Sequence, residues 1–454
     1  MPVKTLNVME TPVCLVLLFA IHIAHVHANL KDIKGNTKTS LESVKTACKG
    51  SQPTYRFDEN DLSKTAPPDY LSDYMNPCWV ECLTTSQPYN MHSSFYAIHR
   101  TKDKFQTYHQ HTVEKTKEML NNMSKVWEER LNKHQPWRVR CLPGVYILGA
   151  EKSGTTDIYA WLRHHPFVMG STRKEPRWWS VYRFPQYITD FARAPLQDYI
   201  DQFDQAADLA RTNTKRRYGR TVHPVVIVDG TADTLWGMKG WSRAQENKGS
   251  LIPKNTTAQL IRHLTPHAKF IVALRNPAEQ VYSSYKFFFS GKLSAKDFHK
   301  RVVIGMRDVQ SCLSDYTYRT MYKCFRLSEE YMYDNDRSRM VALLMHAMYY
   351  VHLKTWLDVF PREQFFITRT EDYSARRKQT LPEMIKFLGL DKFSPYSFPD
   401  ITLDQKMNHN AEKAESCGPM LPETKKILHR FYSPFNKKLV YLLNNEAYLW
   451  DDLL

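Results

Sequence analysis

The sequence predicts a doubly wound α/β domain, a parallel sheet with helices on both faces. Four short apolar runs rich in β-branched and aromatic residues recur from residue 141 onward, and strands buried on both faces of a parallel sheet read as such continuous runs. Segments with apolar residues at helical spacing lie between them. The first run ends in a glycine-containing turn that opens a helix, at the strand end where open α/β sheets hold ligands.

Composition sets the bounds. The chain has 454 residues, 42% hydrophobic, 13% aromatic and 24% charged, which is ample for a core and excludes wholesale disorder. A mean hydropathy of −0.53 excludes a polytopic membrane protein. Only 15 glycines occur, about half the usual ~7%, so two close together at a strand end have a reason to be there. With 63 Lys and Arg against 47 Asp and Glu the net charge is +16, which attracts nucleic acid, anionic lipid or acidic polysaccharide.

In chain order, Val13–Ala28 is an apolar run interrupted by His22, His25 and His27, short of the ~20 residues of a spanning helix. It reads as a signal-anchor behind a cytosolic tail (1–12), or as a cleavable signal ending at Val26-His27-Ala28; a buried soluble helix is the plain alternative. Either of the first two would deliver the remainder to the secretory lumen. Beyond Cys14 lie Cys48, Cys78, Cys82, Cys141, Cys312, Cys324 and Cys417, an odd number that leaves at least one free or paired between chains. Cys312 and Cys324 flank a short Tyr-rich stretch and are the candidate local disulfide. Cys78-x-x-x-Cys82 lacks a second pair at zinc-ligand spacing. The sequons Asn122-Met-Ser124 and Asn255-Thr-Thr257 are compatible with lumenal exposure.

Residues 29–140 read as a lumenal stem: 29 to about 100 are polar and turn-rich around Pro67-Pro68. Val113, Leu120, Met123, Trp127 and Leu131 then predict an amphipathic helix within Lys104–His134, ended by Pro136. The catalytic block is 141–454. Its strands are Val145–Leu148, Val225–Val228, Phe270–Leu274 and Phe365–Thr368, and its helices include Thr156–His165, stopped by Pro166, and Ser338–Phe360.

Three segments carry chemistry. In Gly149-Ala150-Glu151-Lys152-Ser153-Gly154-Thr155-Thr156, a loop between strand and helix aims backbone N–H groups and the positive helix end at one spot, suiting phosphate or sulfate. Gly149 and Gly154 allow close approach, Lys152 adds a point charge, and Thr155 and Thr156 add hydroxyl donors. This is not a Walker A loop, because Lys152 precedes Gly154 and the magnesium-binding hydroxyl is out of register. In Lys269–Pro277 the strand ends at Arg275, which can fork two donors onto phosphate, and Ser283 follows about two turns into the next helix. In Lys174-Glu175-Pro176-Arg177-Trp178-Trp179, Glu175 is a carboxylate among cations, suited to accept a proton. The Trp pair suits either a sugar face or the core. Ordinary turns and ion pairs are the plain readings of each segment taken alone.

Together the segments resemble Golgi carbohydrate sulfotransferases. K-S-G-T-T (152–156) resembles their 5′-phosphosulfate loop, and Arg275 with Ser283 their 3′-phosphate site. Glu175 matches their usual catalytic base. Ile227–Trp236, Cys312–Tyr316 and Gly418–Asn436 extend the likeness over most of 141–450, toward the N-acetylgalactosamine 4-sulfate 6-O-sulfotransferase type. The resemblance implies a P-loop-like sulfotransferase fold and 3′-phosphoadenylyl sulfate (PAPS) as donor. It also implies a sulfated glycosaminoglycan acceptor, C6 of GalNAc 4-sulfate in chondroitin or dermatan sulfate. Glu175 and Lys152 would be catalytic, and Gly149, Lys152, Ser153, Gly154, Thr155, Thr156, Arg275 and Ser283 would bind the donor. Neither a metal nor nucleic acid is expected; the setting is the Golgi membrane, single-pass type II, with a secreted form if the signal is cleaved. No K-G-R-x-H-P segment closes over the donor as in heparan-type relatives; Asn408–Gly418 is the candidate substitute, and adenine contacts and oligomeric state stay open.

Basic clusters at Lys215-Arg216-Arg217 with Arg220, at Arg376-Arg377-Lys378 and at Lys425-Lys426 are acceptor-groove candidates or solvated faces. Two other functions remain open. Asp334-Asn335-Asp336 supplies a D-x-D for a metal-dependent Golgi glycosyltransferase, whose activity EDTA would abolish. A non-enzymatic glycosaminoglycan-binding protein would need the basic clusters but not Lys152, Arg275 or Glu175.

Overall fold

The computed structural model describes residues 57–58, 61–83, 89, 94–98, 106–184, 193–236, 240–313, 320–325, 336–391 and 417–451. Its strands are β1 (Cys78–Cys82), β2 (Trp137–Cys141), β3 (Val145–Gly149), β4 (Val168–Gly170), β5 (Lys215–Arg217), β6 (Arg220–Val222), β7 (Val226–Asp229), β8 (Lys269–Leu274) and β9 (Phe365–Arg369). Five of them form one parallel sheet in the spatial order β4-β7-β3-β8-β9. From β3 the chain runs to the edge strand β4, returns inward to β7, and then crosses to β8 and β9 on the other side of β3, so the ends of β3 and β8 flank a switch point, where open α/β sheets bind ligands.

Both faces of this sheet are buried, which is why its strands read as unbroken apolar runs. Tyr146, Leu148, Ile227, Phe270 and Val272 pack on one side with Leu260, Ile261, Leu353 and Trp356. Val145, Ile147, Val226, Val228 and Ile271 pack on the other with Ile158, Leu162, Leu381 and Ile385. Alternate residues of each strand face opposite layers. β4 was not predicted: it has only three residues, Val168-Met169-Gly170, with the last two half-buried at the sheet edge.

The main helices are α1 (Gln106–Asn132), α2 (Thr155–Leu162), α3 (Leu196–Asp201), α4 (Asp204–Thr212), α5 (Thr257–Leu264), α6 (Pro277–Phe288), α7 (Ala295–Cys312), α8 (Asp336–His346), α9 (Tyr349–Leu357), α10 (Thr370–Ala375), α11 (Arg377–Leu388) and α12 (Pro422–Leu443). The helix expected over Ser338–Phe360 is divided into α8 and α9. At the break the Met345 carbonyl accepts from the Met348 N–H at 3.1 Å and lies 3.1 Å from His352 Nε2; burial lowers the His352 pKa to about 4, so a neutral imidazole donates to it.

The segment expected as a stem shares its core with the sheet. Leu62, Leu71, Cys78 and Trp79 pack in the same cluster as Tyr146 and Phe270, and β1 pairs antiparallel with β2, residue Cys78 opposite Cys141. A disulfide joins that pair. Cys82 is also disulfide-bonded, so the Cys78/Cys82 pair serves cross-linking. The expected Cys312–Cys324 bridge is present, and Cys417 is a buried free thiol. Next to β1–β2, Arg138 and Arg140 reach Glu81, Asp201 and Asp204 in a wholly buried ionic cluster. Among the described residues no helix is long and apolar enough to cross a membrane; the apolar run 13–28 lies outside them.

Candidate active site

β3 ends at Gly149, where the chain passes too close to its neighbours for a side chain. A Cβ there would stand 2.6 Å from the Ala232 carbonyl oxygen and 2.9 Å from Leu235 Cβ. The loop is tied to β8 by the Ala150 N–H, which donates to the Ala273 carbonyl at 2.8 Å. Gly154, at φ 86°, begins α2 with no side-chain cap, whereas Thr256, Asn276 and Ser294 cap α5, α6 and α7. The first N–H groups of a helix have no partner within it. Those at Thr155 and Thr156 therefore combine with the helix dipole into an anion-seeking spot.

Lys152 and Arg275 meet at this loop. Arg275, just past β8, donates from Nη1 to the Lys152 carbonyl at 3.3 Å; its Nη2 lies 3.6 Å from Glu279. Lys152 Nζ sits 4.0 Å from the centre of the Phe287 ring on α6. Burial lowers the Lys152 pKa, and the charges of Glu151, Arg275, Glu175 and Lys174 all act on it. Ser283 is half-buried on α6, one turn before Phe287 and hence on the same face. The end of β8 with Arg275 and the helix carrying Ser283 and Phe287 thus converge on Lys152.

Glu175 arrives from the other side of β3. The Lys174 ammonium donates to its carboxylate and to the Gly230 carbonyl, at 3.3 Å, past the end of β7. Arg177 then clamps the segment down. Its Nε and Nη2 donate to Asp233 at 3.0 and 2.6 Å, Ser180 donates to the other Asp233 oxygen at 2.6 Å, and Tyr96 donates to the Pro176 carbonyl at 2.8 Å. Glu175 stays one-third exposed (33%), available to a substrate. The Trp pair resolves to the core: Trp178 and Trp179 are 3% and 1% exposed and meet edge to face at 4.8 Å, so neither offers a sugar platform.

Comparison with known proteins establishes the family. Residues 142–415 match the sulfotransferase domain family. The chain is 33% identical over 411 residues to carbohydrate sulfotransferase 15 of Rattus norvegicus and 32% identical over 405 residues to that of Homo sapiens; each alignment covers 86% of this chain and 68% of the relative. The chain belongs to the carbohydrate sulfotransferase family. A lower identity, 23% over 333 residues, links it to the bifunctional heparan sulfate N-deacetylase/N-sulfotransferase of Drosophila melanogaster, covering 70% of this chain and 27% of that one.

In this carbohydrate sulfotransferase several supports of the loop were not anticipated. Thr370, after β9, donates to the Ser153 carbonyl at 2.8 Å, and Gln280 on α6 donates to the Glu151 carbonyl at 3.2 Å. Asp157 in α2 accepts from Tyr373 at 2.7 Å and faces Arg377 at 3.3 Å, fixing the helix behind the loop. Thr370 lies at the carboxyl end of a predicted strand, the position from which it could have been found; Gln280 carries no such signal. The basic clusters prove partly structural, since Arg377 is buried on Asp157 and Lys215 and Arg217 pair with Asp391 at 2.9 and 2.8 Å. Asp336 is held by Arg301 and Arg339 at the start of α8. Residues 334–335, and Asn408 to Ser416 of the candidate closing stretch, lie outside the described residues.

Proposed function

We propose that this chain transfers a sulfuryl group from PAPS to a hydroxyl of a sulfated glycosaminoglycan. The acceptor we favour is C6 of 4-sulfated N-acetylgalactosamine in chondroitin or dermatan sulfate, and the setting the Golgi lumen, with the chain held by its N-terminal run. One observation carries the reading: an uncapped helix start, Lys152 and Arg275 share one loop, and the charge of Glu175 reaches the same lysine.

The donor set suits a nucleotide with two separate anionic groups. The amides of Gly154–Thr156 and the Lys152 ammonium suit a phosphosulfate, while Arg275 and Ser283 suit a 3′-phosphate. Glu175 takes the acceptor hydroxyl proton as that oxygen bonds to sulfur. The bond from sulfur to the bridging phosphate oxygen breaks in line, and Lys152 stabilises the charge gathering there. Adenosine 3′,5′-bisphosphate leaves.

The test is to incubate the chain with radiolabelled PAPS and a panel of glycosaminoglycans, and to identify the labelled disaccharide. Calorimetry with adenosine 3′,5′-bisphosphate accompanies it. Charge-assisted bonds contribute about 1.5–3 kcal/mol each, so Lys152→Ala and Arg275→Ala are each expected to weaken the bisphosphate about 10- to 100-fold. Correctly folded protein that binds no bisphosphate refutes the reading.

A further inference from the structure

Seven arginines are buried among the described residues. Six of them face a carboxylate, as Arg183 faces Glu246 at 2.9 Å and Arg377 faces Asp157 at 3.3 Å. Arg173 is the exception. It is 8% exposed, none of the ion pairs among the described residues includes it, and its Nε has no hydrogen-bond partner. Burying a guanidinium without a counter-charge is strongly unfavourable, so a fold that keeps one there calls for an anion from elsewhere.

Its position says which anion. Arg173 lies two residues before Glu175. Its guanidinium stands 5.7 Å from the centre of the Tyr182 ring, and its charge acts on the Tyr96 hydroxyl, which donates to the Pro176 carbonyl. The guanidinium therefore lies along the peptide that carries the proposed base. Lys174, the cation between them, is already engaged by Glu175 and Gly230, and the donor's charges have Lys152 and Arg275. Arg173 is the remaining buried cation of this segment.

We propose that Arg173 forms an acceptor subsite for an oxyanion, an ester sulfate or a carboxylate, carried by the glycan whose hydroxyl meets Glu175. This deepens, and rests on, the sulfuryl-transfer reading above. Such a site selects acceptors that are already charged next to the reacting hydroxyl, because a neutral sugar there would leave the guanidinium uncompensated.

The test replaces Arg173 with Met, an unbranched apolar side chain. Steady-state transfer is measured on 4-sulfated chondroitin, desulfated chondroitin and carboxyl-reduced 4-sulfated chondroitin, with melting temperature and bisphosphate affinity as controls. Arg173→Met should raise KM on 4-sulfated chondroitin at least about tenfold, the low end for a lost charge-assisted bond. It should leave kcat and bisphosphate affinity within about threefold, and keep or raise the melting temperature, since an uncompensated charge is removed. If the ligand is the ester sulfate, the mutant and wild type converge on desulfated chondroitin; if the carboxylate, they converge on the carboxyl-reduced polymer. Unchanged KM on all three polymers, or a lowered melting temperature with no acceptor dependence, overturns the subsite. Should Arg173→Met fail to fold, Arg173→Lys keeps the charge but loses the fork; its KM must rise at least about threefold, and an unchanged KM again overturns the proposal. A wild type inactive on every polymer would instead overturn the sulfuryl-transfer reading.

Discussion

Replacing Glu175 with Gln removes a negative charge and a proton acceptor while keeping shape. The effect on stability should be slight. The Glu175–Lys174 pair is partly exposed, 33% and 19% for the two side chains, and such pairs are worth about 0–1 kcal/mol. Donor binding should hold or tighten a little, because the charge removed is close enough to act on Lys152 and repels an anionic donor. Turnover is where the loss should fall. A missing general base costs about 10²- to 10⁴-fold, or roughly 2.7–5.5 kcal/mol of barrier at 1.36 kcal/mol per decade. The assay is sulfate transfer at saturating donor and acceptor, read beside calorimetric bisphosphate binding and thermal melting. A folded Glu175→Gln protein with turnover within tenfold of wild type removes Glu175 from the role. Loss of binding and turnover together would instead make it part of the donor site.

Three further outcomes are expected. Asp157→Ala leaves the buried Arg377 without its carboxylate and should lower unfolding free energy by about 3–5 kcal/mol in denaturant titration; a loss under 1 kcal/mol contradicts the assignment of that pair as the anchor of α2. The Cys312→Ser/Cys324→Ser double variant opens a loop of sequence separation 12 and should cost about 3 kcal/mol by chain entropy, measured the same way. Burial raises the Asp201 pKa from 3.8 to about 7, with Arg140 opposing. Between about pH 4 and pH 7 the folded state therefore holds a proton that the unfolded state releases, so this group stabilises the fold at the acid end and loses that contribution as pH rises through 7. Melting temperatures across that range should show the slope, and Asp201→Asn should flatten it; an unchanged slope rejects Asp201 as its source.

The elements that could be read along the chain were those whose signal is local. The runs at 145–148, 225–228, 270–274 and 365–368 became β3, β7, β8 and β9 to within a residue or so, because a strand covered on both faces must be apolar throughout. The turn at Gly149–Thr156 declared its helix start through glycine spacing, and α1 declared itself through its apolar stripe. Three-residue β4 offered too few residues for any period, and the break between α8 and α9 shows only through His352 reaching the Met345 carbonyl.

Contacts between distant segments were a different matter. Arg275 lies 123 positions from Lys152 and Thr370 lies 217 from Ser153, and they meet because the strand order brings the ends of β3, β8 and β9 side by side. The Trp pair beside Glu175 looked the same on paper whether it faced a sugar or the core, and packing against Tyr199 and its neighbours put it inside. An unpaired Arg173 is likewise invisible in a chain with 47 acidic residues. Periodicity records what one segment wants of its surroundings; pairing and burial depend on which segments the sheet sets next to one another.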